Sequence, residues 1–265
     1  MTTNEFIMLC VYILAGIVGL CVGSFLNVVI YRLPNGMNLS RPGSHCTTCD
    51  YELQWYDNIP VLSYLMLGGK CRKCRKPISP RYITVELVNA MLWLLSVYIF
   101  WDQSPVLAIL SAIILSTLIC IFFIDLEHLL IFNRFVIIIG VAGFLAIFFD
   151  RYIYWYDHII GAAVFGGFFL LVYYGAIWVL KREGLGFGDV KFAFVAGLLL
   201  GWQRMLLAML IASVSASVVL LIVRYARGDE KEREYPFGPF ISVGVAAALL
   251  FGEPIITWYI SLLGL

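Results

Sequence analysis

Two carboxylates and four thiols have the types and spacing to do chemistry. Asp189 lies in Gly186-Phe187-Gly188-Asp189-Val190-Lys191, an acid at the head of an apolar segment. Gly186 and Gly188 beside it let a second stretch of backbone come close to the carboxylate. Asp125 closes another apolar segment, in Phe122-Phe123-Ile124-Asp125-Leu126-Glu127. Ionisable groups at the edge of a membrane span are costly and tend to mark function. Brought together, two carboxylates cannot both ionise and share a proton. One then acts as general base on a water that attacks a scissile carbonyl, while the other donates a proton to the carbonyl oxygen. The protons leave such a pair in two macroscopic steps, so neither role belongs to one residue. Each acid also has a structural reading. Asp189 suits a helix N-cap, and Asp125 an interfacial carboxylate that reaches water. A cap does not explain the two glycines, yet residue types alone leave both readings open.

The thiols are Cys46-Thr47-Thr48-Cys49 and Cys71-Arg72-Lys73-Cys74, with 21 residues between the pairs. Two such knuckles can close a tetrahedral thiolate site for zinc. Four thiolates leave no open coordination position, so the metal would fold the loop and would not catalyse. Cys10, Cys21 and Cys120 fall inside apolar segments and read as small buried hydrophobes.

The elements that carry these residues are membrane spans. Of 265 residues 62% are hydrophobic and 13% charged, far from the ~45–50% and ~25% of globular domains. The net charge of +1 gives no sign of a nucleic-acid partner. Spans of ~20 apolar residues are expected near 6–30, 84–100, 106–124, 135–149, 159–180, 190–202, 205–223 and 241–261. The sixth is short, with only Gln203-Arg204 between it and the seventh. The first is too long for a cleavable signal and reads as retained. The expectation is an all-α polytopic membrane protein with about eight transmembrane helices and a cytoplasmic zinc-ribbon-like loop between the first and second. Three parts follow: a first helix over 1–31, the tetracysteine loop over 32–83, and a seven-helix membrane domain over 84–265.

Lys and Arg in short loops set the orientation. With both termini outside, every one of the 18 except Arg151 and Arg204 falls on the cytoplasmic side. The loop, Asp125 and Asp189 follow one, three and five spans, so all face the cytoplasm. Arg151-Tyr152-Ile153-Tyr154-Trp155-Tyr156 reads as an outer aromatic belt. The run Asp229-Glu230-Lys231-Glu232-Arg233-Glu234 reads as a solvated loop. Asn27 is a candidate for an interhelical hydrogen bond, Glu86 for a helix cap, and His158 for an interfacial position. Pro236-Phe237-Gly238-Pro239 marks a turn that can also line the site.

Together these residues resemble the type IV prepilin peptidases, the bacterial GxGD aspartyl proteases also called leader peptidase/N-methyltransferases. The resemblance covers nearly the whole chain. It rests on Gly23-Ser24-Phe25-Leu26-Asn27, Trp55-Tyr56-Asp57-Asn58-Ile59-Pro60 between the two knuckles, Ile78-Ser79-Pro80-Arg81-Tyr82, Glu86, 186–191 and 236–239. It implies that Asp125 and Asp189 are catalytic, that Gly186, Gly188 and Lys191 support them, and that Cys46, Cys49, Cys71 and Cys74 hold zinc. The implied enzyme sits in the bacterial inner membrane with its active site at the cytoplasmic face. It removes basic leaders from prepilins or type II secretion pseudopilins, cutting after Gly and before Phe or Met. It then N-methylates the new terminus with S-adenosylmethionine, for which the sequence offers no binding residues. Where the family reads Leu-Pro-Asp, this chain reads Ile131-Phe132-Asn133, and Thr47 replaces the usual Pro of the first knuckle. The competing reading is a membrane scaffold or transporter whose cytoplasmic zinc ribbon binds a partner. A zinc metalloprotease is excluded by the closed thiolate set and the lack of a His-Glu-x-x-His stretch.

Overall fold

A computed structural model describes residues 2–181, 184–227 and 235–264. Arg182 and the mixed-charge run Asp229-Glu230-Lys231-Glu232-Arg233-Glu234 lie outside the described residues. Among the described residues the regular elements are helices, with two isolated β-bridges in the irregular loop after the first. It divides into two compact units, 1–99 and 100–265.

The N-terminal unit holds α1 (Thr3–Arg32), a single 3-10 turn (Trp55–Asn58), α2 (Leu62–Met66) and most of α3 (Arg81–Phe100). A capping box starts α1: Thr2 Oγ1 accepts the Glu5 N–H, and Glu5 Oε2 accepts the Thr2 N–H. That pairing satisfies donors a helix start leaves free. The helices α1 and α3 meet through Gly19 and Gly23. A Cβ on Gly19 would lie 2.8 Å from the Ala90 Cα, and one on Gly23 2.8 Å from the Glu86 Cα. Small residues four apart let backbones approach this closely in a bilayer. Polar side chains lock the contact, with Asn89 Nδ2 donating to the Gly19 carbonyl at 2.7 Å and Asn27 Nδ2 to the Tyr82 carbonyl at 3.0 Å. The interhelical role expected of Asn27 is the one observed. By these contacts α3 groups with α1 and the cysteine loop, whereas the sequence division at 83/84 joins it to the C-terminal membrane helices.

The C-terminal unit holds α4 (Pro105–His128), α5 (Asn133–Ala146), α6 (Trp155–Leu180), α7 (Phe187–Arg227) and α8 (Gly238–Leu262). Among the described residues, six helices are long and apolar enough to cross a membrane, and α5 is a shorter apolar helix. The apolar segments expected at 190–202 and 205–223 form one continuous element, broken at Gly201 (φ 71°, ψ 170°). Glycine adopts that conformation without a Cβ penalty. Among the described residues, the sixth and seventh expected segments are thus joined by a kink, not a loop. Glycines pack this unit too. Gly161 on α6 and Gly197 on α7 are so close that a Cβ on either would collide with the other's backbone. Gly143 on α5 sits against Leu199, and Gly244 on α8 against Ala208.

Polar residues support the kink. His158, expected at the interface, is fully buried, with Nδ1 2.8 Å from the Leu198 carbonyl. The helical partner of that carbonyl, Trp202, lies beyond the break, and its Nε1 donates to Asp157 Oδ1 at 2.9 Å. Arg204, buried, donates to Asp150 at 3.0 Å and Glu253 at 3.1 Å. The belt residues Tyr152, Tyr154, Trp155 and Tyr156 are exposed.

Candidate active site and metal centre

Asp125 occupies the last turn of α4 and is buried, not drawn out to water. The helix ends at the cap residue Leu129, whose N–H still bonds the Asp125 carbonyl at 2.9 Å and whose left-handed φ of 56° turns the chain out of the helix. The first residue of α8 then reaches across: the Gly238 N–H donates to Asp125 Oδ2 at 3.0 Å. A helix start leaves such N–H groups without intrahelical partners and favours an acidic neighbour. Only glycine fits there, because a Cβ would stand 2.6 Å from Asp125 Oδ2. Pro236-Phe237-Gly238-Pro239 is thus a turn that also builds the site.

Asp189 is in the first turn of α7, where its N–H bonds the Gly186 carbonyl at 3.0 Å. It lies past the cap position, since the helix already begins at Phe187. Its carboxylate is buried, and Oδ1 has no hydrogen-bond partner among the described residues. A Cβ on Gly186 would come within 3.2 Å of Asp189 Oδ2, and one on Gly188 within 3.0 Å of the Ile131 side chain. Gly188, next to Asp189, and Gly238, whose N–H holds Asp125, both stand against the Ile131 side chain. Two helix ends 64 positions apart thus place both buried acids around one side chain. Lys191 points to the next element instead: its Nζ donates to Asn133 Oδ1 at 2.9 Å and lies 4.9 Å from the centre of the Phe187 ring. Asn133 and Ile131 are site residues the sequence did not single out in that role, whereas Gly238 lies in the turn expected to line the site. The departure at Ile131-Phe132-Asn133 was the available signal.

The four loop cysteines converge in the N-terminal unit. All four sulfurs lie within 4.8 Å of one another, with Cys46–Cys74 at 3.9 Å and Cys49–Cys71 at 4.0 Å. A tetrahedron of ~2.3 Å zinc–sulfur bonds has edges of roughly 3.8 Å, so the donor set fits. Each pair sits in the same turn. The Cys46 N–H bonds the Tyr51 carbonyl and the Cys71 N–H the Lys76 carbonyl, both at 2.9 Å. Asp50 and Arg75 take matching left-handed positions, with φ of 52° and 57°.

Beside the knuckles is a cavity of about 610 Å³, within the range of small-molecule sites. Asn27, Tyr51, Asp57, Tyr82 and Glu86 line it. Asn27 Oδ1 is buried with no partner among the described residues, an acceptor left for a ligand donor. Asp57 is buried against Arg72 Nε at 2.8 Å. Glu86 does not cap its helix. It is buried, and Oε2 accepts the Val61 N–H at 2.8 Å, holding a β-branched residue at φ 62°.

Comparison with known proteins agrees with this division. Residues 17–100 match the bacterial peptidase A24 N-terminal domain. Residues 112–221 match the type IV leader peptidase family. A prepilin leader peptidase/N-methyltransferase of Aeromonas salmonicida is 33% identical over 91% of this chain and 91% of its own. The one of Pseudomonas aeruginosa is 33% identical over 94% of this chain and 93% of its own. The Myxococcus xanthus protein of that name is 39% identical over 80% of this chain and 63% of its own. No solved structure gives a significant match. With a relative a third identical along nine-tenths of both chains, and with a carboxylate pair and a tetracysteine cluster in the units those domain matches mark out, the chain belongs to the type IV leader peptidase family.

Proposed function

We propose that this chain is a membrane-embedded aspartyl endopeptidase that removes the leader from type IV prepilins or type II secretion pseudopilins and N-methylates the new terminus. The observation that supports the reading is that buried Asp125, held by the Gly238 N–H, and buried Asp189 lie around the same Ile131 side chain. In this reading the pair holds one proton between its carboxyl groups. The ionised member takes a proton from water as the water attacks the scissile carbonyl. The protonated member gives its proton to the carbonyl oxygen. The Gly238 N–H fixes one oxygen of Asp125 and leaves the other for the shared proton or the water. Burial of both acids keeps bulk water from competing for these contacts.

The four thiolates of Cys46, Cys49, Cys71 and Cys74 hold a structural zinc ion, which orders a loop that has little apolar core of its own. S-adenosylmethionine would supply an electrophilic methyl group to the freed amine. Asn27, Asp57, Glu86 and the tyrosines of the N-terminal cavity would bind and orient it. The positive-inside distribution supports an inner-membrane enzyme with both termini periplasmic and the aspartates at the cytoplasmic face. Confinement of enzyme and substrate to one bilayer raises the effective concentration of the scissile junction.

The test is incubation of purified, zinc-loaded protein with a model prepilin, followed by mass analysis. The expected result is loss of the leader and a product N-terminus heavier by one methyl group only when S-adenosylmethionine is present. An intact prepilin would sink the reading in favour of a scaffold or transporter.

A further inference from the structure

Ile131 stands in the short turn between α4 and α5 and is half-buried. Its side chain meets both of the glycines that bear on the carboxylates. A Cβ on Gly188 would lie 3.0 Å from Ile131 Cβ and 3.5 Å from Cγ1, and a Cβ on Gly238 would lie 3.2 Å from Ile131 Cδ1. Gly188 directly precedes Asp189, and the Gly238 N–H holds Asp125 Oδ2. One aliphatic side chain therefore sits between the backbone that carries one acid and the backbone that holds the other. The turn that presents it is tied at both ends. Leu129 N–H bonds the Asp125 carbonyl at 2.9 Å, and Asn133 Oδ1 accepts Lys191 Nζ at 2.9 Å, two residues past Asp189. Isoleucine branches at Cβ and is stiff about χ1, so its width across the two glycines is well defined.

We propose that Ile131 is a positioning residue of the aspartyl reaction, a wedge between Gly188 and Gly238 that sets the separation of Asp125 and Asp189. The proposal rests on the reading of that pair as catalytic. Ile131 touches no substrate and moves no proton. Its width matters because a proton is shared only between carboxyl groups held at close range, and their coupling falls as they part. A displacement of about 1 Å in a catalytic constellation can cost ~10²-fold in rate. The wedge accounts for Gly188, where a Cβ would meet Ile131 alone, and adds a second contact at Gly238, where Asp125 Oδ2 already bars a Cβ.

The experiment compares full-length wild type with Ile131→Ala, Ile131→Val and Ile131→Leu on a model prepilin, reading kcat, KM and the pH–rate profile. Asp125→Asn and Asp189→Asn serve as references. Glu127 and His128 on α4 and Arg134 on α5 are exposed, and Lys191 on α7 is partly so. These groups are present in every Ile131 variant, so the spacing between the two limbs is compared as a difference from wild type. Ile131→Ala is expected to lose ~10²-fold in kcat with little change in KM, and to change the spacing of the limbs. Val, which loses the Cδ1 that meets Gly238, should fall between, and Leu should keep most of both. A packing role would lower the amount of folded enzyme and leave the limbs in place, so unchanged limb spacing in Ile131→Ala overturns the proposal whatever the activity. If Ile131→Ala does not fold, Ile131→Val decides, since it removes only the Cδ1 that meets Gly238. A lower kcat with altered limb spacing supports the wedge, and wild-type spacing in Ile131→Val overturns it. Normal cleavage by both aspartate variants would overturn the catalytic reading and the wedge with it, while inactive aspartate variants with unmoved limbs overturn the wedge alone.

Discussion

The Gly238 backbone N–H donates to Asp125 Oδ2 at 3.0 Å across 113 residues of sequence, tying the start of α8 to the end of α4. The approach requires a residue without a Cβ, which would otherwise stand 2.6 Å from that oxygen. Gly238→Ala is therefore expected to displace the carboxylate and reduce cleavage ~10²-fold or more. Cleavage rates at matched, folded protein levels check this. Wild-type rates would show that Asp125 tolerates the shift.

Arg204 carries a second expectation. Its guanidinium is buried and holds the equally buried Asp150 at 3.0 Å. Removing one partner of a buried pair leaves an uncompensated charge, at a cost of about 3–5 kcal/mol. Arg204→Met should lower the thermal midpoint clearly, and adding Asp150→Asn should restore part of the loss. Thermal unfolding in detergent is the measurement.

These two residues show what the sequence makes legible and what it does not. Asp125 and Asp189 could be brought to one face by counting spans, because charge and hydropathy are read residue by residue. The kink at Gly201 could not, because Gln203-Arg204 looks like a loop until Asp150 and Glu253 are seen to neutralise Arg204 inside the unit. His158 and Glu86 were misplaced for the same reason: each is a buried polar group whose partner, the Leu198 carbonyl or the Val61 N–H, is backbone and carries no side-chain signal. The knuckles were fully legible, since their spacing is itself the geometry. Gly19 and Gly23, four residues apart on α1, were legible in principle as a close-packing pair and went unread.

Metal content follows from the thiolate cluster. The wild-type protein is expected to hold one zinc ion per chain, and Cys71→Ser to lose it, because three ligands at a structural site bind far more weakly than four. Elemental analysis with a thiol titration reads both. Four freely titrating thiols in zinc-replete wild-type protein would contradict the assignment.

Asn27 separates the two activities. Its Nδ2 is engaged with the Tyr82 carbonyl, while its buried Oδ1 is left for a ligand. Asn27→Ser, which keeps a polar group on the α1 face, should weaken binding of labelled S-adenosylmethionine ~10-fold while leader removal continues. Unchanged binding would place the methyl donor elsewhere.

The central claim is that Asp125 and Asp189 act as one catalytic pair. Its most direct test is cleavage of a model prepilin in membranes containing wild type, Asp125→Asn or Asp189→Asn at matched expression and zinc content. The account predicts that either substitution alone abolishes cleavage while the protein stays folded. Normal cleavage by both variants would contradict it and leave the two aspartates as structural helix ends.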